Sequence, residues 1–124
     1  MMKVALVLAA AAALVVAGGA QATIPVLIKG ETGPGFKVEV KTAAGKDVKV
    51  LKAGTYKLVV EDKSKIHNFR LKGPGLKPTL NLMVTTVPFV GEKTVIVKLL
   101  KKGIYTYQCD PHAAGGMKGT FKVV

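Results

Sequence analysis

The residues of this 124-residue chain that are best suited to chemistry are few, and most lie near its C-terminus. Cys109-Asp110-Pro111-His112 followed by Met117 gives the spacing C-x2-H-x4-M. Thiolate and thioether are soft donors and imidazole is borderline, a mixture that suits copper in either oxidation state. Two imidazoles and one thiolate in a plane, with a long, weak axial thioether, make the ligand set of a blue-copper centre. The loop supplies one histidine, so the second must come from elsewhere, and the chain has only His67 left. The counts also exclude. One cysteine rules out an internal disulfide framework and any zinc site that needs two or more thiolates. Two histidines rule out a histidine-only cluster of three.

Each residue taken singly has an ordinary reading. Cys109 alone reads as a small buried hydrophobe, His112 as a surface loop residue, His67 as a hydrogen-bonded strand histidine and Met117 as filler. The joint pattern favours the metal: the sole cysteine, the sole pair of histidines and a correctly placed methionine. Met83 is a rival fourth donor, but its strand-like surroundings favour core packing.

The elements that must position these residues are strands. After residue 22 helical periodicity is hard to find, and short β-branched runs alternate with turn residues. The expected fold is all-β: a Greek-key β-sandwich or barrel of about seven or eight strands. Strands are expected over Thr23 to Lys29 (closed by Gly30), Phe36 to Lys41, Val48 to Val50, Thr55 to Glu61 and Ile66 to Leu71. Others are expected over Asn81 to Thr86, Thr94 to Leu100, Ile104 to Cys109 and Thr120 to Val124. Cys109, His112 and Met117 then sit in a tight loop between the last two strands, and His67 near the start of another.

Residues 1–22 differ in kind. Lys3 precedes an unbroken apolar run from Val4 to Ala17, then Gly18-Gly19 and Ala20-Gln21-Ala22. This is the pattern of a secretory signal peptide cleaved after Ala22, which leaves one domain over residues 23–124 in the periplasm or outside the cell. The alternative is an uncleaved segment acting as a membrane anchor, although the apolar run falls short of the ~20 residues that span a bilayer. A lipid anchor on a cysteine near the cleavage site is excluded, because Cys109 is the only cysteine.

Lys and Arg number 19 against 7 Asp and Glu, for a net charge of +12. Most lysines alternate with apolar residues along strands, as in Phe36 to Lys41, and read as a solvated sheet face. The single arginine, the lack of an aromatic-interleaved basic stripe and the export signal argue against nucleic acid. An acidic docking surface on a protein partner is the better reading, with peripheral contact to an anionic membrane as a second.

At this point the chain resembles a family. His67-Asn68-Phe69, the run from Tyr105 through His112 (YTYQCDPH), Met117 and Gly119-Thr120-Phe121 are similar to the cupredoxins, the small blue-copper proteins. Within them the chain looks closest to the plastocyanin and pseudoazurin type, and a broader likeness covers most of residues 30–124. Two features depart: the loop Lys72 to Met83 carries two prolines and no shared motif, and the basic charge contrasts with the acidic patches of many plant plastocyanins. The resemblance implies one type 1 copper ion held by His67, Cys109, His112 and Met117. It also implies one-electron transfer between redox partners, without enzymatic turnover, by a monomer. Asn68 is suited to hydrogen-bond across to the Cys109 loop, and Pro111 has no N–H to donate to the sulfur. A periplasmic copper chaperone or storage protein is the competing function; it is favoured by extra Met or His tracts, which the chain lacks.

Overall fold

The computed structural model describes residues 24–76 and 81–124. The expected signal segment and its cleavage point fall outside the described residues.

Period-two alternation becomes two facing sheets. The first contains β1 (Val26–Thr32), β2 (Val38–Thr42), β4 (Gly54–Asp62) and β7 (Gly91–Leu99), in the spatial order β2-β1-β4-β7. The second is ordered β3-β9-β8-β5-β6, from β3 (Val50–Leu51), β9 (Lys118–Val123), β8 (Gly103–Gln108), β5 (Phe69–Lys72) and β6 (Asn81–Thr85). β1 lies parallel to β4 and β3 to β9, and the other neighbours are antiparallel. The chain changes sheet after β2, β3, β4, β6 and β7, the crossovers of a Greek-key sandwich. The described strands number nine, one for each of the nine expected runs and one more than the upper figure of eight.

β4 shows how the sequence builds the layers. Tyr56, Leu58, Val60 and Asp62 turn inward while Lys57 and Glu61 face water. Ile28, Val40, Leu58, Val60, Phe69, Leu71, Leu99, Tyr105 and Val123 fill the space between the sheets. Each fully buried large side chain contributes about 1.5–3 kcal/mol relative to exposure.

Two departures from the expected strands bear on the site. Gly30 does not close β1; the strand runs through it to Thr32. A Cβ at Gly30 would lie 2.9 Å from Phe69 Cε2 and 3.1 Å from Val60 Cγ2, so glycine is needed there for the Phe69 ring to seat between the sheets. The run Ile66 to Leu71 is not all strand either, because β5 opens only at Phe69. Ahead of it the Ser64 amide donates to Asp62 Oδ1 at 3.2 Å, the Ile66 amide to Ser64 Oγ at 3.4 Å and the His67 amide to the Ser64 carbonyl at 3.3 Å. These local bonds satisfy backbone groups that a ladder would otherwise use, and they turn the chain instead of extending it. Among the described residues no helix is long and apolar enough to cross a membrane.

Candidate metal centre

The loop between β8 and β9 is fastened to itself. Asp110–Gly115 forms one short 3-10 turn with Pro111 in its first turn, and it ends at Gly116, whose φ of 99° favours glycine. The Cys109 amide donates to the Met117 carbonyl at 3.1 Å, the Met117 amide to the His112 carbonyl at 3.2 Å and the His112 amide to the Cys109 carbonyl at 3.2 Å. Three candidate donors are thus tied by backbone bonds before their side chains interact. Cys109 and Met117 are buried, while His112 is half-buried.

His67 arrives from the segment ahead of β5 and is fully buried. The Phe69 seat against Gly30 fixes one side of that segment. Gly33 fixes the other: at φ 81°, a Cβ there would come within 3.1 Å of His67 Cδ2. The imidazole therefore rests on bare backbone. Its Nδ1 lies 3.5 Å from Cys109 Sγ and 3.1 Å from His112 Nδ1, and His112 Nδ1 lies 3.4 Å from Sγ. A point equidistant from atoms so spaced lies about 1.9 Å from each, close to the roughly 2.0–2.3 Å of first-row metal bonds to nitrogen and sulfur. Two nitrogens and one sulfur, buried and convergent at that spacing, fit a single copper ion.

A clamp outside the donors joins β5 to the loop. The Asp110 amide donates to Asn68 Oδ1 at 2.7 Å, and Asn68 Nδ2 donates back to Asp110 Oδ2 at 3.0 Å. The expected reach of Asn68 across to the Cys109 loop is therefore present. Arg70 donates from Nε to both Asp110 oxygens at 2.9 Å and from Nη2 at 2.8 Å, and Gln108 Nε2 adds a bond at 2.9 Å. Arg70 Nη1 also donates to Asn81 Oδ1 on β6. The Arg70 guanidinium holds the Asp110 carboxyl well below its ordinary 3.8, at about 2, against the opposing effect of partial burial. Pro111, two residues after Cys109, has no N–H to offer the sulfur.

Two contributors were not visible from spacing. Arg70, the lone arginine, carried no motif; its one sequence signal is its acidic counterpart beside the cysteine. Phe36 was expected as an apolar strand residue, but it lies outside β2 and is 68% exposed. Its ring stands edge-on to His112 (centroids 4.9 Å) and to His67 (5.7 Å), covering both imidazoles. Met83 does not pack in the core as expected: it is 43% exposed on the edge strand β6, opposite Arg70. Strand-like neighbours gave no hint of which face it would take.

A two-sheet Greek-key sandwich with one thiolate and two imidazoles converging at one end defines a cupredoxin. Residues 37–124 match the profile of copper-binding proteins of the plastocyanin/azurin family. The chain belongs to that family, and its cofactor is copper. Among solved structures, auracyanin B is similar at 17% identity and a TM-score of 0.59, with 82% of this chain and 91% of that one covered. The reduced auracyanin of Roseiflexus castenholzii is 17% identical with a TM-score of 0.53 (82% and 99% covered). Rusticyanin from Thiobacillus ferrooxidans is 23% identical with a TM-score of 0.50 (82% and 77% covered). At these identities the likeness speaks to the fold. No curated protein sequence matches the chain.

Proposed function

We propose that the chain is an exported blue-copper electron carrier, with His67 Nδ1, Cys109 Sγ and His112 Nδ1 as the in-plane ligands and Met117 as the weak axial donor. The observation that carries this reading is the convergence of the three donor atoms, all within 4.8 Å of one another, at the closed end of a sandwich. Copper bound there supplies reversible one-electron exchange between Cu(I) and Cu(II). The protein's part is to keep the donors still. The backbone bonds within the loop, the Asn68–Asp110 pair and the Arg70 clamp each limit rearrangement between the two oxidation states. With few donors to its sulfur, the Cys109 thiolate favours the oxidised ion and keeps the potential on the low side.

His112 is the one in-plane donor that reaches the surface, so a partner's approach falls on its ring edge. Phe36, Pro111 and Gly115 line the surface beside it, and all three are exposed and apolar or small. Exposed Lys37, Lys65 and Lys118 flank Phe36, His67 and Met117 in the chain, which suits a redox partner with an acidic docking surface. The reading includes cleavage after Ala22, a periplasmic or secreted monomer and no enzymatic turnover. A copper chaperone or store is the weaker reading, because burial of His67, Cys109 and Met117 opposes ready handover.

Voltammetry of the copper-loaded mature protein tests the assignment. The expected result is one reversible one-electron wave, with copper retained through repeated cycling. Loss of copper on reduction, or its rapid transfer to a Cu(I) chelator, would place the protein with the chaperones.

A further inference from the structure

Three buried side-chain atoms have no hydrogen-bond partner among the described residues: Thr32 Oγ1, Asp62 Oδ2 and His67 Nε2. Their owners are all essentially inaccessible, at 0%, 1% and 0% exposure. Unpaired buried polar groups are costly and rare in native proteins, so three near one another call for a common cause.

The register brings them together. Thr32 of β1 and Asp62 of β4 are direct cross-strand partners and both face inward. One row earlier, Gly30 and Val60 are likewise partners, and the Phe69 ring seats against that row. His67 precedes Phe69 by two residues, in the turn ahead of β5, and Gly33, the residue after Thr32, lies against its ring. The Gly33 contact agrees: its Cβ position lies 3.1 Å from His67 Cδ2, the carbon bonded to Nε2, and 3.2 Å from Ser64 Cβ, two residues after Asp62.

The chemistry of the three atoms is complementary. With Nδ1 facing the other donors, a neutral imidazole carries its proton on Nε2 and needs an acceptor. Asp62 Oδ2 is an acceptor without a donor, since its only side-chain bond is the Ser64 amide on Oδ1. Thr32 Oγ1 both donates and accepts. None of the three hydrogen-bonds to another, so a group that bridges them would satisfy all three at once. One water takes about three hydrogen bonds in such a place.

We infer that Thr32, Asp62 and His67 enclose a site for one internal water, and that through it the Asp62 carboxylate is the positioning residue of His67. The water accepts a hydrogen bond from Nε2–H and donates one to Asp62 Oδ2, while Thr32 supplies its remaining bond. This arrangement fixes the tautomer and ring orientation of a donor histidine from outside the site. It also places a buried negative charge behind that histidine, which stabilises the more highly charged Cu(II) form. The second effect rests on the proposed copper ligation; the water site does not.

Two readouts test the inference. In the metal-free full-length protein, NMR cross-relaxation from a long-lived internal water is expected at the Thr32 and His67 protons, and it is expected to vanish in Thr32→Val. In the copper-loaded protein, Asp62→Asn keeps the shape and removes the charge. It is expected to shift the Cu(II)/Cu(I) affinity ratio about tenfold toward Cu(I), a rise of about 59 mV for a one-electron couple. A side chain that only supported the fold would not move the potential in so conservative a variant. No long-lived water at Thr32 and His67 overturns the site, and an unchanged potential in Asp62→Asn overturns the role of Asp62. A wild-type protein with the water in place but no copper uptake would support the water site and remove the metal reading instead.

Discussion

Replacing Asp110 with alanine tests whether the clamp behind the metal loop holds the loop in place. The substitution removes the acceptor of three Arg70 contacts at 2.8–2.9 Å, of Gln108 Nε2 at 2.9 Å and of Asn68 Nδ2 at 3.0 Å, while the Asp110 amide bond to Asn68 Oδ1 can persist. Charge-assisted hydrogen bonds contribute about 1.5–3 kcal/mol each when well desolvated, and exposed ion pairs only about 0–1 kcal/mol. With side chains 21% and 32% exposed, the Arg70–Asp110 pair lies between those limits. Holding the carboxyl at about 2 instead of 3.8 corresponds to roughly 2 kcal/mol in favour of its ionised form, a consistent figure. Asp110→Ala is therefore expected to lower the unfolding free energy of the metal-free protein by about 2–3 kcal/mol. At a slope of ~1–3 kcal/mol per molar urea, the midpoint falls by roughly 0.7–3 M. A double-mutant cycle with Arg70→Ala should give a coupling of about 1–2 kcal/mol. A loss below about 0.5 kcal/mol, or additive single variants, would mean that the contacts are surface decoration and would refute the reasoning.

Three further substitutions probe other parts of the account. Gly30→Ala drives a methyl against Phe69 and Val60 and is expected to cost about 1–3 kcal/mol in urea unfolding; a neutral result would remove the seat proposed for the His67 segment. Phe36→Ala is expected to leave stability within about 0.5 kcal/mol but to slow electron self-exchange several-fold by stopped-flow or NMR, because the apolar contact over His112 is lost. Tyr105→Phe removes a hydroxyl that donates to the Lys101 carbonyl at 2.7 Å and accepts from the Gly75 amide at 3.2 Å; a loss of about 1–2 kcal/mol is expected with the copper spectrum unchanged.

The candidate donors were legible in the sequence because they rest on scarcity. With one cysteine and two histidines, His67, Cys109 and His112 followed almost by counting, Met117 was added by its spacing, and the structure brings the first three together. The alternation in Tyr56, Leu58 and Val60 likewise announced a half-buried sheet strand. What spacing could not reveal was tertiary pairing. Arg70 reads as one more basic residue until β5 is laid beside β8 and its guanidinium meets Asp110. Phe36 reads as a strand residue until the turn at Gly33 carries it over the imidazoles. Gly30 reads as a strand end for the same reason, since only the facing sheet shows the ring that needs its missing Cβ.

The most direct test of the central claim is the absorption spectrum of the mature protein loaded with one equivalent of Cu(II), beside that of Cys109→Ser. Ligation by the Cys109 thiolate between His67 and His112 predicts an intense band near about 600 nm that the serine variant lacks. A wild-type complex without that band, or a band that survives the loss of Cys109, would contradict the account.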